Sequence, residues 1–358
     1  MHGTDGKSSQ SPEVILTNFN ARFTGVSATI ANLAEHHERR YRVAILGKPL
    51  PVGTRRIGPL QLVRFLWRRP AGRPVRIWHA RRTAEMFVGW ILKHLFRAPL
   101  KLVATTVALR RHSLMTRTMF AWMDVLIATT EEAASYVGGC DAIVPHGVDT
   151  SRFTPPEDKR ACWKASGLPG KYGIGVFGRV RPEKGTDLFV GAMCRLLPRY
   201  PDFVAVIAGR WKPKDADFQQ ALVGRIEEAG ISDRVVWLDE VPADERHLWF
   251  QRICLCVASP RYEGFGLTPI EAMSCGAAVV ATRTGFFPKL IEEGKTGYVV
   301  DIEDLNALTA RIEQCLEDPE ALLRMGRNAR QHAAERHDCS REAEGIERVY
   351  QKIFDGEL

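Results

Sequence analysis

The 358-residue chain lacks most of the signals that would place it outside the ordinary globular proteins. No run approaches the ~18 uninterrupted apolar residues that a membrane-crossing helix needs, so no span is expected. The opening MHGTDGKSSQSP has none of the apolar character of a secretory leader, and residues 1–12 are expected to be a disordered tail. The eight cysteines are scattered. Their one close pair, Cys254 and Cys256, sits in the apolar run ICLCVAS, and no second pair supplies the other ligands of a zinc site. Reduced thiols in a core strand are therefore expected, and metal ligation is not. The Walker pattern G-x-x-x-x-G-K-[ST] is missing, which sets aside an ATP-binding P-loop. No Asp-x-Asp stands in a loop suited to a divalent ion, since DAD at 215–217 leads into a helical pattern. Low-complexity tracts and internal repeats are also absent. At 45% hydrophobic and 26% charged residues the composition is globular, and the length suits two domains.

Acid is what the first half lacks. Residues 1–155 carry 22 Lys+Arg against 10 Asp+Glu, and between 55 and 117 fifteen basic residues face a single acid, Glu85. The remainder holds 28 against 32. A polyanionic partner for the first half alone is the implication. In IGPLQLVRFLWRRPAGRPVRIWHARR, Phe65, Leu66 and Trp67 interleave with Arg64, Arg68, Arg69, Arg73 and Arg76, and Arg81 and Arg82 follow. Aromatics beside arginines suit the headgroup zone of an anionic bilayer, or an acceptor bearing carboxylates and phosphates. Arg64, Trp67, Arg68, Arg69, Arg73, Arg81 and Arg82 are the candidate contacts. Nucleic acid is the rival partner, with Trp67, Trp78 and Trp90 available for stacking. No nucleic-acid motif accompanies them and several aromatics fall at core spacing, so nucleic acid is not expected.

Apolar runs of strand length alternate with helical patterns, and they do so twice. Strands are predicted at 13–19, 41–47, 75–80, 100–106 and 125–130, with helices at 25–37 and 83–96 and an extended close at 142–149. The series restarts with strands at 172–178, 203–209, 234–240, 253–259, 277–283 and 296–301, and helices at 186–200, 218–230, 303–317 and 320–336. Such alternation builds parallel sheets with right-handed crossovers. The expected fold class is α/β: two Rossmann-like, doubly wound domains facing across a cleft. The first is expected at 13–155 and the second at 156–339, with the break at Pro155-Pro156. The helix at about 340–358 has the option of packing back on the first domain.

Two segments of the second half carry chemistry. GVFGRVRPEKG follows its opening strand, so Gly178 turns the chain and Arg179 and Lys184 stand ahead of a helix, a place that favours phosphate. EGFGLTPIEAMSCG reads as loop and helix. Gly264 and Gly266 free a series of amides to hold an anion, and Pro269 suits a first helical turn. Glu271 is placed in that turn, where a carboxylate accepts hydrogen bonds from a vicinal diol. Glu263 stands on the other side of the loop, and the small residues after Glu271 allow close helix–sheet approach.

Glu263-x7-Glu271, with GRVRPEKG about 85 residues upstream, resembles the retaining GT-B glycosyltransferases of family 4. VPHGVDTSRF and GKTGYVVD extend the likeness, and WHARRTAEM and NFNARFTGVSATIANL are similar to bacterial lipopolysaccharide core mannosyltransferases. The resemblance implies that Arg179 and Lys184 contact the donor diphosphate and that Glu271 binds the ribose. Glu263 would contact the transferred sugar, with amides from Phe265, Gly266, Leu267 and Thr268. His79 would stand near the reacting carbon, and Gly25, preceded here by Thr24 where many members have a second glycine, near the donor phosphate. Catalytic roles are thus expected of His79 and Glu263. The implied reaction moves a hexose, most simply mannose from GDP-mannose, onto a Kdo-lipid A type acceptor at the inner face of the cytoplasmic membrane. No cofactor or essential metal is expected. A UDP- or ADP-sugar donor, or a sugar-nucleotide sensor without turnover, are the alternatives.

Overall fold

The computed structural model describes residues 11–21, 25–109 and 112–358. Most of the expected tail lies outside the described residues. Its last two members are held in place: the buried Arg76 donates from Nε to the Pro12 carbonyl at 2.9 Å and from Nη2 to Ser11 Oγ at 2.5 Å.

The chain divides into two compact units. One comprises the described residues up to Gly147 together with Cys339–Leu358, and the other is Val148–Asp338. The sequence placed the break at Pro155-Pro156. Both prolines belong instead to the second unit, because residues 148–154 are bonded to it. Arg330 Nη1 donates to the carbonyls of Thr150 and Phe153 at 3.0 and 2.9 Å, and Gln251 Nε2 donates to the Thr154 carbonyl at 3.0 Å.

The first unit runs β1 (Val14–Asn18), α1 (Gly25–His37), β2 (Val43–Gly47), β3 (Arg56–Ile57), α2 (Pro59–Phe65), β4 (Arg76–Ala80), α3 (Thr83–His94), β5 (Leu100–Thr106), α4 (Leu114–Ala121), β6 (Val125–Ala128), α5 (Glu131–Val137) and β7 (Ala142–Ile143). The second runs α6 (Lys159–Lys164), β8 (Tyr172–Phe177), α7 (Thr186–Leu196), β9 (Phe203–Ala208), α8 (Ala216–Glu228), β10 (Val235–Leu238), α9 (Arg246–Arg252), β11 (Ile253–Ala258), α10 (Leu267–Ser274), β12 (Ala278–Thr282), α11 (Phe287–Leu290), β13 (Gly297–Val300), α12 (Leu305–Glu317) and α13 (Pro319–Arg336). The last helix, α14 (Cys339–Asp355), returns to the first unit.

Each unit is a parallel sheet wound in both directions from its first strand, with orders β3-β2-β1-β4-β5-β6-β7 and β10-β9-β8-β11-β12-β13. The central strands are buried on both faces, which is why they read as continuous apolar runs. Leu16, Ile77 and Val103 face α1 and α14, while Ile15, Trp78 and Leu102 face the opposite layer. The apolar stripe of α14, Ala343, Ile346, Val349, Tyr350 and Ile353, closes the first of these layers. In the second unit α7, α8 and α12 cover one face of the sheet and Trp163 packs on the other. Cys254 and Cys256 are buried in β11, and burial pushes the Cys254 thiol up to about 12.

Candidate donor site and the fate of the basic segment

Adjacent strands β8 and β11 end side by side, and the loops that leave them interlock. After β8 the chain turns at Gly178, forms a single turn at Pro182–Lys184 and enters α7 through Gly185. After β11, Arg261 ties the two loops together. Its amide donates to the Glu183 carbonyl at 3.0 Å. Its guanidinium forks onto both oxygens of Asp187 at 2.9 and 2.8 Å, bonds the Pro182 carbonyl, and reaches Glu303 at 2.8 Å. Burial pushes the Asp187 carboxyl up, but the hydrogen bonds from Arg261 outweigh it and hold the group below its ordinary range. No local motif singles out Arg261 for this role. Its position directly between strand end and Glu263 is the signal that was available.

This bracing brings Lys184 to Glu263, Nζ to Oε2 at 2.6 Å, with both side chains about three-quarters covered. Glu263 also accepts from the Gly264 amide at 3.1 Å, and its own amide donates to Thr284 Oγ1 at 3.2 Å. Gly266 adopts φ +88, and a Cβ there would lie 2.2 Å from the Phe287 ring, so only glycine fits. Phe265 points inward and stacks on Phe286 at 4.6 Å. The helix α10 starts at Leu267, two residues before the expected Pro269, and no side chain caps it. Leu267 and Thr268 therefore occupy its first turn and Glu271 its second. Glu271 is buried and paired with Arg246, at 3.3 and 3.4 Å to its two oxygens, another partner the sequence did not reveal. Arg179 is exposed and enters no hydrogen bond or ion pair among the described residues. The second unit thus places Arg179, Lys184, Glu263 and the 264–271 segment at the carboxyl edge of its sheet, the edge where open α/β sheets bind ligands. No group of three or more His, Cys, Asp or Glu among the described residues is placed to hold a metal ion.

The first unit departs from several expectations. His79 lies in mid-sheet, wholly buried, with Nδ1 at 2.5 Å from the Tyr350 hydroxyl and Nε2 at 2.7 Å from Thr105 Oγ1. Both ring nitrogens are satisfied internally, so His79 joins α14 to the sheet and is not presented to a reacting carbon. Burial, with the Arg81 charge beside it, pushes its pKa well below the ordinary 6.5. The folded state keeps this imidazole neutral while the unfolded chain takes up a proton below that value. Stability is therefore full above pH 6.5 and falls by up to about 1.4 kcal/mol per pH unit beneath it. Melting temperatures measured from pH 8 to pH 5 are expected to fall, and His79→Gln to reduce that slope. An unchanged slope in the variant would refute the buried neutral state.

The basic segment divides by use. Arg73 donates to Glu13 at 2.6 Å and lies over Phe354 at 4.3 Å. Arg82 bonds Asn18 at 3.0 Å, Glu85 at 3.0 Å and Ser27 at 3.1 Å. Both are internal braces, contrary to the expected acceptor or membrane role. Leu66 is buried and Phe65 sits under the Arg76 guanidinium at 4.8 Å, so neither joins a surface. Arg64, Trp67, Arg68 and Arg69 remain exposed. Trp78 is fully buried and Trp90 stacks on Trp122 at 4.5 Å, so neither offers a face to a base. Gly25 is the exposed first residue of α1, with nothing within 4 Å of a Cβ built on it. Thr24, which stands where many members have a second glycine, lies outside the described residues.

The family described as glycosyl transferases group 1 matches residues 163–332. The lipopolysaccharide core biosynthesis mannosyltransferase LpcC of Rhizobium leguminosarum bv. viciae is 42% identical over 96% of this chain and 97% of its own length. LpsB of Rhizobium meliloti (strain 1021), described in the same words, is 38% identical over 96% and 98%. Among solved structures, the C-terminal domain of the Francisella tularensis glycosyl transferase group 1 protein LpcC aligns at 32% identity and TM-score 0.52, covering 54% of this chain and 99% of that one. Anabaena HepE, solved with UDP, aligns over 95% of this chain and 100% of its own at TM-score 0.79 and 18% identity, a likeness of fold. The chain belongs to the group 1 glycosyl transferases: it is a hexosyltransferase of the GT-B fold, resembling the lipopolysaccharide core mannosyltransferases.

Proposed function

We propose that the protein transfers mannose from GDP-mannose, with retained anomeric configuration, onto the Kdo-lipid A type inner core of lipopolysaccharide at the inner face of the cytoplasmic membrane. The observation that carries this reading is the near full-length likeness to two lipopolysaccharide core mannosyltransferases. Arg179 and Lys184 would offset the charge of the departing diphosphate, so no metal is essential. Glu271, held by Arg246, would take the ribose. Glu263 and the amides of residues 265–268 would take the sugar.

Membrane contact is supported by the surface around α2. Leu60, Val63 and Trp67 are 84%, 52% and 53% exposed, beside Arg64, Arg68 and Arg69. Trp67 Nε1 donates to the Phe96 carbonyl at 2.7 Å, which brings the exposed Leu95 and Phe96 near. Exposed apolar residues among arginines are the composition of an interfacial contact with anionic lipid. No described helix is long and apolar enough to cross a membrane.

The test is turnover by purified protein, with EDTA present, of GDP-mannose, UDP-glucose, UDP-N-acetylglucosamine and ADP-heptose on Kdo-lipid A in anionic vesicles. GDP-mannose alone is expected to yield product. Selective use of another donor would discard the sugar and keep the reaction class. Absence of turnover with every donor would remove this acceptor.

A further inference from the structure

Glu85, the single acid among the bases of 55–117, is fully buried. An ionised carboxylate only accepts, at about four lone-pair sites, and N–H groups from two separate loops converge on this one. Its Oε1 accepts from the Phe19 amide at 3.1 Å and from Arg82 Nη1 at 3.0 Å. Its Oε2 accepts from the amides of Arg81 and Arg82 at 2.9 and 3.1 Å, with the Thr17 hydroxyl at 3.0 Å. The bond from the Arg82 amide is the capping-box contact of a glutamate in the first turn of α3. The Phe19 bond has no such local origin. It comes from 66 positions away, at the start of the loop that leaves β1. Arg82 extends the junction, bonding Asn18 Oδ1 and, through Ser27 Oγ, the first turn of α1. Asn18 Nδ2 in turn donates to the Lys48 carbonyl just beyond β2 at 3.2 Å.

This junction stands at the point where the winding of the first sheet reverses. In the order β3-β2-β1-β4-β5, the chain goes from β1 to β2 on one side and from β4 to β5 on the other. The two loops lead to helices on opposite faces, α1 in the Leu16 layer and α3 in the Trp78 layer. Open α/β sheets bind ligands at that crevice. The second sheet reverses between β8 and β11, where the Arg261–Asp187 fork braces the two loops that carry Lys184 and Glu263. A cavity of about 380 Å³ adjoins the Glu85 junction, with Arg82, Thr83, Met86, Thr106, Thr116 and Phe120 in its wall. The first three of these flank Glu85 in the chain.

We propose that Glu85 is a positioning residue for the transfer: it fixes the loops after β1 and β4 against each other, and with them the wall that the acceptor sugar meets. It is sealed from solvent and touches no substrate itself. A glutamine of the same shape cannot replace it. On whichever side its nitrogen lies, an N–H donor faces two N–H donors, and one loop is released. The turnover test rests on the reading of Kdo-lipid A as acceptor.

Glu85→Gln is expected to raise the KM for Kdo-lipid A at least about 10-fold, since small displacements of positioning groups cost this much or more. The Kd for GDP-mannose, from calorimetry without acceptor, should stay within about threefold, because the proposed donor contacts lie in the second unit. Kinetics are run where thermal melts show both proteins folded. A merely structural role predicts a smaller active fraction, with kcat lowered and KM unchanged. That pattern, an unchanged acceptor KM, or an equal loss of donor affinity would each overturn the proposal. Should Glu85→Gln not fold, Glu85→Asp keeps the charge beside Arg82 and loses the reach to Phe19. A several-fold rise in its acceptor KM supports the assignment, and a wild-type KM refutes it.

The second readout needs no turnover. By hydrogen–deuterium exchange and mass spectrometry, Glu85→Gln is expected to exchange at least about 10-fold faster in segments 14–21 and 80–86 and at the wild-type rate elsewhere in the first unit. Unchanged exchange, or faster exchange throughout the unit, overturns the proposal. If the wild-type protein does not use Kdo-lipid A, that acceptor falls, and the exchange result alone decides the role of Glu85.

Discussion

Lys184→Ala is expected to lower kcat/KM for the nucleotide-sugar about 100- to 1000-fold, the range found when a single donor aimed at developing negative charge is removed. Folding stability should change by less than about 1 kcal/mol, because the Lys184–Glu263 pair is partly solvated and such pairs contribute little. The two readouts separate because of where Lys184 sits. Its backbone is held by the turn at Pro182–Lys184 and by the Arg261 brace, not by its own side chain. Glu263→Gln is also expected to be damaging, and the double variant less so than the product of the two singles, since the residues form one contact at 2.6 Å. Steady-state kinetics with varied donor, alongside thermal melts, decide the matter. A kcat/KM within threefold of wild type would remove Lys184 from the donor site.

The second large effect concerns Gly185, where the hinge between that turn and α7 tolerates no side chain. Gly185 sits at φ +67, and a Cβ would fall 1.7 Å from the Ser259 carbonyl oxygen, a backbone atom with no freedom to retreat. Ser259 Oγ also donates to the Gly185 carbonyl at 2.9 Å. Gly185→Ala combines left-handed strain of roughly 1–2 kcal/mol with displacement of one loop from the other. A loss of at least about 3 kcal/mol and a fall of roughly 6–12 °C in melting temperature are expected. Donor turnover should fail even where the protein remains folded, because Lys184 moves away from Glu263. Gly224 is the control. It lies inside α8 with nothing within 4 Å of its Cβ position, and Gly224→Ala should be neutral or stabilising by up to about 1 kcal/mol. Denaturant unfolding of both variants tests the contrast. A Gly185→Ala protein as stable as wild type would show that the loop has room to rearrange.

Both predictions concern a region that was largely readable in the linear chain. Strand and helix periods, the glycines after β8 and β11, and the spacing of Lys184, Glu263 and Glu271 are local properties, and local properties survive in a one-dimensional record. The start of α10 was misplaced by two residues because proline is tolerated throughout a first turn, not only at its first position. Arg246 and Arg261 were missed for a different reason. Each acts on a carboxylate in another element, 25 residues away in one case and 74 in the other.

The sequence by itself determined the two α/β series, the residues of the donor segment and the excess of positive charge in the first half. It did not determine which charges are available. Fifteen basic residues between 55 and 117 look alike in a count, yet Arg73, Arg76 and Arg82 are bonded inside the first unit while Arg64, Arg68 and Arg69 reach solvent. Only the tertiary structure separated them from Arg81, buried and unbonded. It also moved His79 from a presumed catalytic position to the interior, because α14 returns from the far end of the chain and sets Tyr350 against it. Pairing and burial depend on distance through space, and these partners lie up to 310 positions apart, as His37 and Glu347 do. Periodicity records which face of an element is apolar. It carries no information on which buried polar group finds a partner, and that is where this site was decided.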